Sequence, residues 1–369
     1  MRENFAPELL PTLRPEEGHS SNGGARPADA ELSSTHNNRG FFQHRVGRLD
    51  EARREYEEAV RLHAGNAAAL SNLGFLLAQQ GRHEEAIALY RRAVAAEPSF
   101  ALAHNNLGNS WLALGERAAA VEAYRTALRF DPAHEIAQFN LAQTLHACGE
   151  LDEARAAYER LLEFKPDHTR ALFQLGMVYA ASQHLERAAE LFERAITIDP
   201  TFAEAWTNLG LAHFCRRNFG IAVDCHRRAL ELRPDLARAH YNLALALLSS
   251  GDARAAESEL ERAVAAEPDF AEASNNLGVV RLALGRHEEA AAVFRRLLAS
   301  DPHNPKLNFN LGLALRELGR TSEARAALEE CVRHGEPDDE RTRQALAVIA
   351  ALEADVDKSG GVEGDADAS

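Results

Sequence analysis

Four side chains of zinc-ligand type crowd two short stretches of the chain: His213 and Cys215 in one, Cys225 and His226 in the next. Imidazole and thiolate in equal number are what a tetrahedral zinc site uses. Their spacing is not that of a zinc finger, and no CxxC occurs, so the alternative is two packed imidazoles and two reduced thiols. Other chemistry is missing from the sequence. It holds no GxxxxGK(S/T) phosphate loop, no GxGxxG, no HExxH and no GxSxG. His83-Glu84-Glu85 and His287-Glu288-Glu289 lack the second His that would complete a metal pair, and they fall at one repeated position. The expectation is a chain with no catalytic residues, no cofactor and no resident metal, with the quartet at 213–226 as the one metal candidate.

A second chemically regular feature is a column of carboxamides: Asn72, Asn106, Asn140, Gln174, Asn208, Asn242, Asn276 and Asn310, one every 34 residues. Asn is a poor helix-interior residue, so its recurrence suggests a role. Each carboxamide both donates and accepts, and a row of them can pair with the N–H and C=O of an extended peptide whatever its side chains. The alternative is that they bond only to neighbouring helices or water. One residue ahead stand Phe139, Phe173, Tyr241 and Phe309, with Asn105 in another repeat. These offer a ligand stacking or apolar contact, unless they pack laterally between helices.

The elements that would position these columns follow from the same period. Pro98, Pro132, Pro166, Pro200, Pro234, Pro268 and Pro302 recur at 34 residues, the length of a helix-turn-helix unit that cannot bury its apolar face alone. With Ala67 as first residue, position 7 is always Leu, position 8 is Gly or Ala, and position 20 is always Ala, from Ala86 to Ala324. This predicts two antiparallel helices per unit, with the small eighth residue letting the second helix approach at its Ala. Gly81, Gly115, Gly149, Gly251, Gly285 and Gly319 sit where the first helix must end in a positive-φ residue. Positions 2, 5, 6, 9, 12 and 13 form the stripe of the first helix that faces away from its partner. Position 2 alternates in sign through Arg170, Glu204, Arg238, Glu272 and Lys306, so no single ligand charge is implied.

On Trp206, Leu209, Gly210, Ala222 and Pro234 the chain resembles the tetratricopeptide repeat family, with His213 and His226 where Tyr and Phe are usual. The resemblance implies an all-α fold, a right-handed superhelical solenoid whose concave surface is lined by the stripe just described. The Ala205-Trp-Thr-Asn-Leu-Gly210 form is similar to the repeat array of the O-linked N-acetylglucosamine transferases, where such an Asn ladder holds the substrate protein. No segment of the sequence resembles that family's catalytic domain, so its activity is not implied. Asn109, Asn140 and Arg170 also match positions of the carboxylate clamp of chaperone-binding members. Asn105 and Gln174 stand where that clamp has Lys and Arg, which removes most of the attraction for a carboxylate.

The expected organisation is a disordered tail at 1–32, a degenerate first repeat at 33–66, and eight repeats at 67–100, 101–134, 135–168, 169–202, 203–236, 237–270, 271–304 and 305–338. A capping helix follows at 339–354 and an acidic disordered tail at 355–369. Arg39 occupies the Leu position of the first repeat, which makes its first helix doubtful. In the capping helix Asp338 is the expected N-cap, and Leu346, Ile349 and Leu352 are expected to face inward.

The net charge of −15, of which −8 lies in residues 1–32 and 353–369, argues against nucleic acid as a partner. Unpaired Cys148, Cys215, Cys225 and Cys331 and the lack of a leader or long apolar run predict a cytoplasmic chain that does not insert in membranes. The function these features predict is an adaptor or scaffold binding an extended peptide segment of a protein partner. The candidate groove is the amide ladder with Asn105, Asn109, Phe139, Phe173, Tyr241 and Phe309. Two alternatives stay open: a recruitment subunit for a separately encoded glycosyltransferase or other modifying enzyme, and a homo-oligomeric structural scaffold.

Overall fold

The computed structural model describes residues 26–360, with side chains to 354. Most of the two expected tails therefore lies outside the described residues. Among the described residues the chain is all-α, nineteen helices and no strand, as the period requires. It divides into two compact units, Met1–Ile198 and Asp199–Ser369.

The first unit holds five helix pairs: α1 (Pro27–Arg45) and α2 (Leu49–Leu62), α3 (Ala67–Gln79) and α4 (His83–Ala96), α5 (Ala101–Ala113) and α6 (Arg117–Phe130), α7 (Glu135–Ala147) and α8 (Leu151–Phe164), and α9 (Thr169–Ala181) and α10 (Leu185–Ile198). The second unit holds four pairs and a last helix: α11 (Ala203–Cys215) and α12 (Phe219–Leu232), α13 (Ala237–Ser249) and α14 (Ala253–Ala266), α15 (Ala271–Ala283) and α16 (His287–Leu298), α17 (Pro305–Glu317) and α18 (Thr321–His334), and α19 (Glu340–Gly360). Within each unit a first helix packs on its own partner and on the second helix before it, and successive first helices also touch, as α3 does α5 and α15 does α17. First helices thus make one layer and second helices the other.

Position 20 is fully buried in every repeat, but the small eighth residue serves a different neighbour from the one expected. A Cβ on Gly108 would stand 2.5 Å from the ring of Tyr124, and one on Gly176 2.6 Å from the ring of Phe192. The ring sits at position 24, one helical turn past the Ala, and is the nearest neighbour; at Gly40 and Gly312 the Ala carbonyl also comes within 3.2 and 3.3 Å of such a Cβ. Where the first helix ends, the expected glycines take φ between 71° and 87°, and the two repeats without one hold Gln183 and Arg217 at φ 62° and 65°.

Four of the seven periodic prolines also offer their carbonyl to position 4 of the following helix. His104 Nε2 donates to Pro98 O (2.9 Å), Trp206 Nε1 to Pro200 O (3.1 Å), His240 Nε2 to Pro234 O (2.9 Å) and Asn308 Nδ2 to Pro302 O (2.9 Å). Three kinds of side chain do one task, tying the loop between repeats to the helix it leads into.

The first repeat is fully formed, against the doubt raised by Arg39. Position 7 of the next repeat, Leu73, packs on Ala52 and Tyr56 of α2. Position 7 therefore reaches back to the preceding repeat, and α1 has no described repeat before it, so Arg39 stands exposed without penalty. The helix begins at Pro27, ahead of the boundary set at 33, with Ser33 Oγ bonded to Ala59 O. At the other end α19 runs past 354 to Gly360, and its N-cap position falls on Asp339, not Asp338. Its inward stripe is Ala345, Val348, Ile349 and Leu352. Leu346 is half exposed, because the stripe centres on Ala345 and Leu352, two turns apart, and Leu346 lies off its edge.

Gly108→Ala is expected to lower stability by roughly 1–3 kcal/mol, since Tyr124 is fully buried and must shift. Gln183→Gly should raise it by ~0.5–1 kcal/mol by relieving a left-handed backbone. Chemical denaturation of the two variants and the parent checks both; equal midpoints would refute the packing account.

Candidate interaction face

The carboxamide column does not stand free on the first-helix layer. In the first unit Asn72 Nδ2 donates to Asn37 Oδ1 (2.9 Å), and Asn140 Nδ2 donates to Asn105 Oδ1 (3.1 Å) and Asn109 Oδ1 (3.0 Å). In the second, Asn276 Nδ2 donates to the Tyr241 hydroxyl (3.1 Å) and Asn310 Nδ2 to Asn275 Oδ1 (3.4 Å). The recurring bond joins position 6 of one repeat to position 5 of the repeat before it. Asn72, Asn106 and Asn242 are buried, while Asn140, Gln174, Asn208, Asn276 and Asn310 are half-buried. Asn208 turns its nitrogen to Glu204 O on its own helix (2.8 Å). Four of the eight carboxamide nitrogens are thus engaged laterally, and that of Asn208 is engaged on its own helix.

The position-5 aromatics are not an exposed row. Phe139 and Phe309 are buried, with Phe139 edge-on to Tyr158 at 6.0 Å and stacked on His168 at 5.2 Å. Phe173 lies 5.7 Å from Phe192, and Tyr241 5.0 Å from Phe270. An aromatic leaning between helices gains more by removing its faces from water than by waiting for a ligand. The clamp-like trio is likewise self-engaged. Asn109 Oδ1 also accepts from the Tyr124 hydroxyl (2.7 Å), and the Arg170 guanidinium lies 5.0 Å over the Phe139 ring.

What the layer does expose is position 9 of the second unit. Leu211 and Val279 are each 40% exposed, and Leu245 and Leu313 are half-buried. They lie one helical turn beyond Asn208, Asn242, Asn276 and Asn310, so an apolar column runs beside the amide column on α11, α13, α15 and α17. The signal was legible in the same register, since Leu, Leu, Val and Leu recur there, while the first unit has Phe41, Phe75, Asn109, Gln143 and Met177, of which both Phe are buried.

The zinc-type quartet is not assembled: among the described residues no three of His213, Cys215, Cys225 and His226 bring ligand atoms together. Cys215 is exposed, Cys225 buried, and Asn218 Nδ2 lies 3.4 Å from His213 Nδ1. His226 fills the ring position under Gly210, fully buried, with neither nitrogen hydrogen-bonded. Burial pushes its pKa down to about 4. His240 is the opposite case. Desolvation opposes its protonation, yet Nδ1 at 2.6 Å from Glu259 and Nε2 on Pro234 O raise its pKa on balance.

Two further features are structural. Arg281 occupies a first-helix core position that is apolar in most repeats, and it bonds Glu257 (3.1 Å) and Glu261 (2.6 Å), with Arg286 also on Glu257. A cavity of about 660 Å³ between α6, α7 and α8 is rimmed by Arg125, itself paired with Glu122 and Glu153.

Paired helices on a 34-residue period, Gly under an aromatic ring and a helix-end glycine together define a helical-repeat protein. Models described as tetratricopeptide repeat match residues 31–98 and 134–201, 101–134, 207–259 and 241–305, and 281–349. The chain belongs to the tetratricopeptide repeat family. No curated protein sequence matches it. The C-terminal part of a repeat protein from Cytophaga hutchinsonii is 17% identical, with a TM-score of 0.54 over 64% of this chain and 98% of that one. A repeat protein from Parabacteroides merdae is 19% identical, with 0.51 over 68% and 98%. YrrB, described as having an unusual peptide-binding site, is 25% identical, with 0.46 over 50% and 95%. Among the described residues no helix is long and apolar enough to cross a membrane.

The two histidines predict opposite pH dependences. A neutral buried His226 contributes stability that is complete above pH 6.5 and is lost as pH falls toward about 4, on the order of 3 kcal/mol. His226→Phe should therefore gain on the parent as the medium is acidified. His240 contributes below pH 6.5 and loses its contribution as pH rises through its raised value, so His240→Gln should differ most from the parent in acid. Denaturation midpoints between pH 4.5 and 8 measure both; parallel curves would refute the assignment.

Proposed function

We propose that the chain is a non-catalytic adaptor that holds an extended segment of a partner protein on its first-helix face. Tetratricopeptide repeat proteins are protein-interaction modules, and the similarity of Ala205–Gly210 to the substrate-holding array of O-linked N-acetylglucosamine transferases supports the same use. The observation that carries the reading is the column of Leu211, Leu245, Val279 and Leu313, an apolar stripe exposed at Leu211 and Val279 and half-buried at the other two. Touching helices lie about 8–10 Å apart, the advance of about three residues of polyproline-II chain at ~3.1 Å each. The column thus suits a segment with an apolar side chain at every third residue. Asn310, whose nitrogen is tied to Asn275, keeps Oδ1 as an acceptor for that segment's N–H groups.

Recruitment of a separate modifying enzyme would use the same face. Self-assembly is favoured by a different observation in the first unit: Phe42 in the last turn of α1 and Val46 just past its end are 61% and 51% exposed, beside Leu49 at the start of α2.

Affinity purification from the source cell, comparing the parent with Leu211→Glu/Val279→Glu, decides between these readings. Both changes are at exposed positions and should leave circular dichroism unchanged. Loss of a partner by tenfold or more supports the groove, as two buried aliphatic contacts are worth more than ~1.4 kcal/mol. Equal recovery by both chains refutes it, and sedimentation that depends on concentration and is abolished by Phe42→Ser establishes assembly instead.

A further inference from the structure

Among the described residues one group of three side chains has the composition and closeness of a metal site, and it is not the quartet of the second unit's first pair. The ligand atoms of His303, Glu330 and His334 all lie within 4.8 Å of one another. Glu330 and His334 stand four residues apart on α18 and share one face of its last turn. His303 comes from the linker between α16 and α17, just before the Asn304 cap. Its Nδ1 is 3.8 Å from Glu330 Oε2, and His334 Nε2 is 3.3 Å from the same oxygen. The two imidazoles face each other with centroids 4.3 Å apart. Arg333 holds the other carboxylate oxygen, Oε1, which orients Oε2 toward the rings. Core packing does not account for the group, since His303 is 68% exposed.

We propose that His303, Glu330 and His334 form a surface site for a divalent transition ion of borderline softness, with zinc as the reference ion. Two imidazoles and one carboxylate are a donor set such ions take, with a fourth position left to water. Metal–ligand bonds of ~2.0–2.1 Å at tetrahedral angles separate the ligand atoms by about 3.4 Å. The spacings of 3.3 and 3.8 Å to Glu330 bracket that value, and the two imidazoles lie within 4.8 Å of each other. The ion clips the linker that closes the α15/α16 pair to the second helix of the following pair, so binding selects the folded end of the array.

The test uses the untagged full chain, stripped with chelator, titrated with Zn(II) by calorimetry and with Co(II) by visible absorption. His303→Ala, His334→Ala and a control, His184→Ala at an exposed position of the first unit, are run beside it. The expected result is one equivalent of ion per chain, tetrahedral Co(II) bands, and a rise in melting temperature with Zn(II). Binding should weaken at least tenfold in each site variant and stay unchanged in the control. His303 lies in an exposed linker, so its variant stays informative even if His334→Ala destabilises α18. Absence of saturable micromolar binding, binding that survives both site variants, or equal loss in the control overturns the proposal.

Discussion

The contact on which the rest depends is a ring laid against a helix backbone that carries no side chain there. At Gly74, Gly108, Gly176, Gly210 and Gly278 a single carbon added to the first helix would meet the ring of the second at 2.9 Å or less. That contact sets the distance between paired helices, because a planar ring slotted against bare backbone has one close-packed depth. Once the pair is fixed, position 7 reaches back to the previous pair and, in four repeats, position 4 binds the proline carbonyl that leads in. Stacking then repeats with little freedom. The array tolerates variety in the chemistry that fills these places, so Trp206, His240 and Asn308 all serve one carbonyl, and His226 fills a ring's place at the expense of two unbonded nitrogens.

Lateral amide bonds complete this scheme. A half-buried Asn whose nitrogen is bonded to the repeat before it loses about 1–3 kcal/mol if the partner moves away, whereas one bonded only to water loses little. The bonds from Asn72, Asn140, Asn276 and Asn310 therefore fix how one repeat sits on the last. This is a specificity of stacking that aliphatic contacts alone, being non-directional, do not supply.

Helices, turns and pairing were legible because each depends on residues within one 34-residue register. What the period could not give was direction. Position 8 tells that something must come close, and only coordinates tell that it is the ring of Tyr124 and not the backbone at Ala120. Arg39 looked like damage to a repeat, because the neighbour that position 7 addresses lies in the preceding repeat. Leu346 was placed inward from spacing alone, though the stripe's centre depends on where α18 lies. The His303, Glu330 and His334 group joins a linker to the end of a helix in the next repeat, so no local motif announces it.

A repeated column is evidence of a shared constraint, and in a stacked array the first constraint on any column is the neighbouring repeat. At position 6 the lateral bond is made in both units, by Asn72 and Asn140 in the first and by Asn276 and Asn310 in the second, whatever the chain binds. Position 9 carries no such recurring bond: it is Phe41, Phe75, Asn109, Gln143 and Met177 in the first unit, with both Phe buried, and Leu211, Leu245, Val279 and Leu313 in the second. Leaving Leu211 and Val279 exposed forgoes about 25 cal/mol for each Å² that packing could have covered. A column that is apolar in four successive repeats, and lies open to water at Leu211 and Val279, is therefore better explained by what lies outside the chain than by what holds it together.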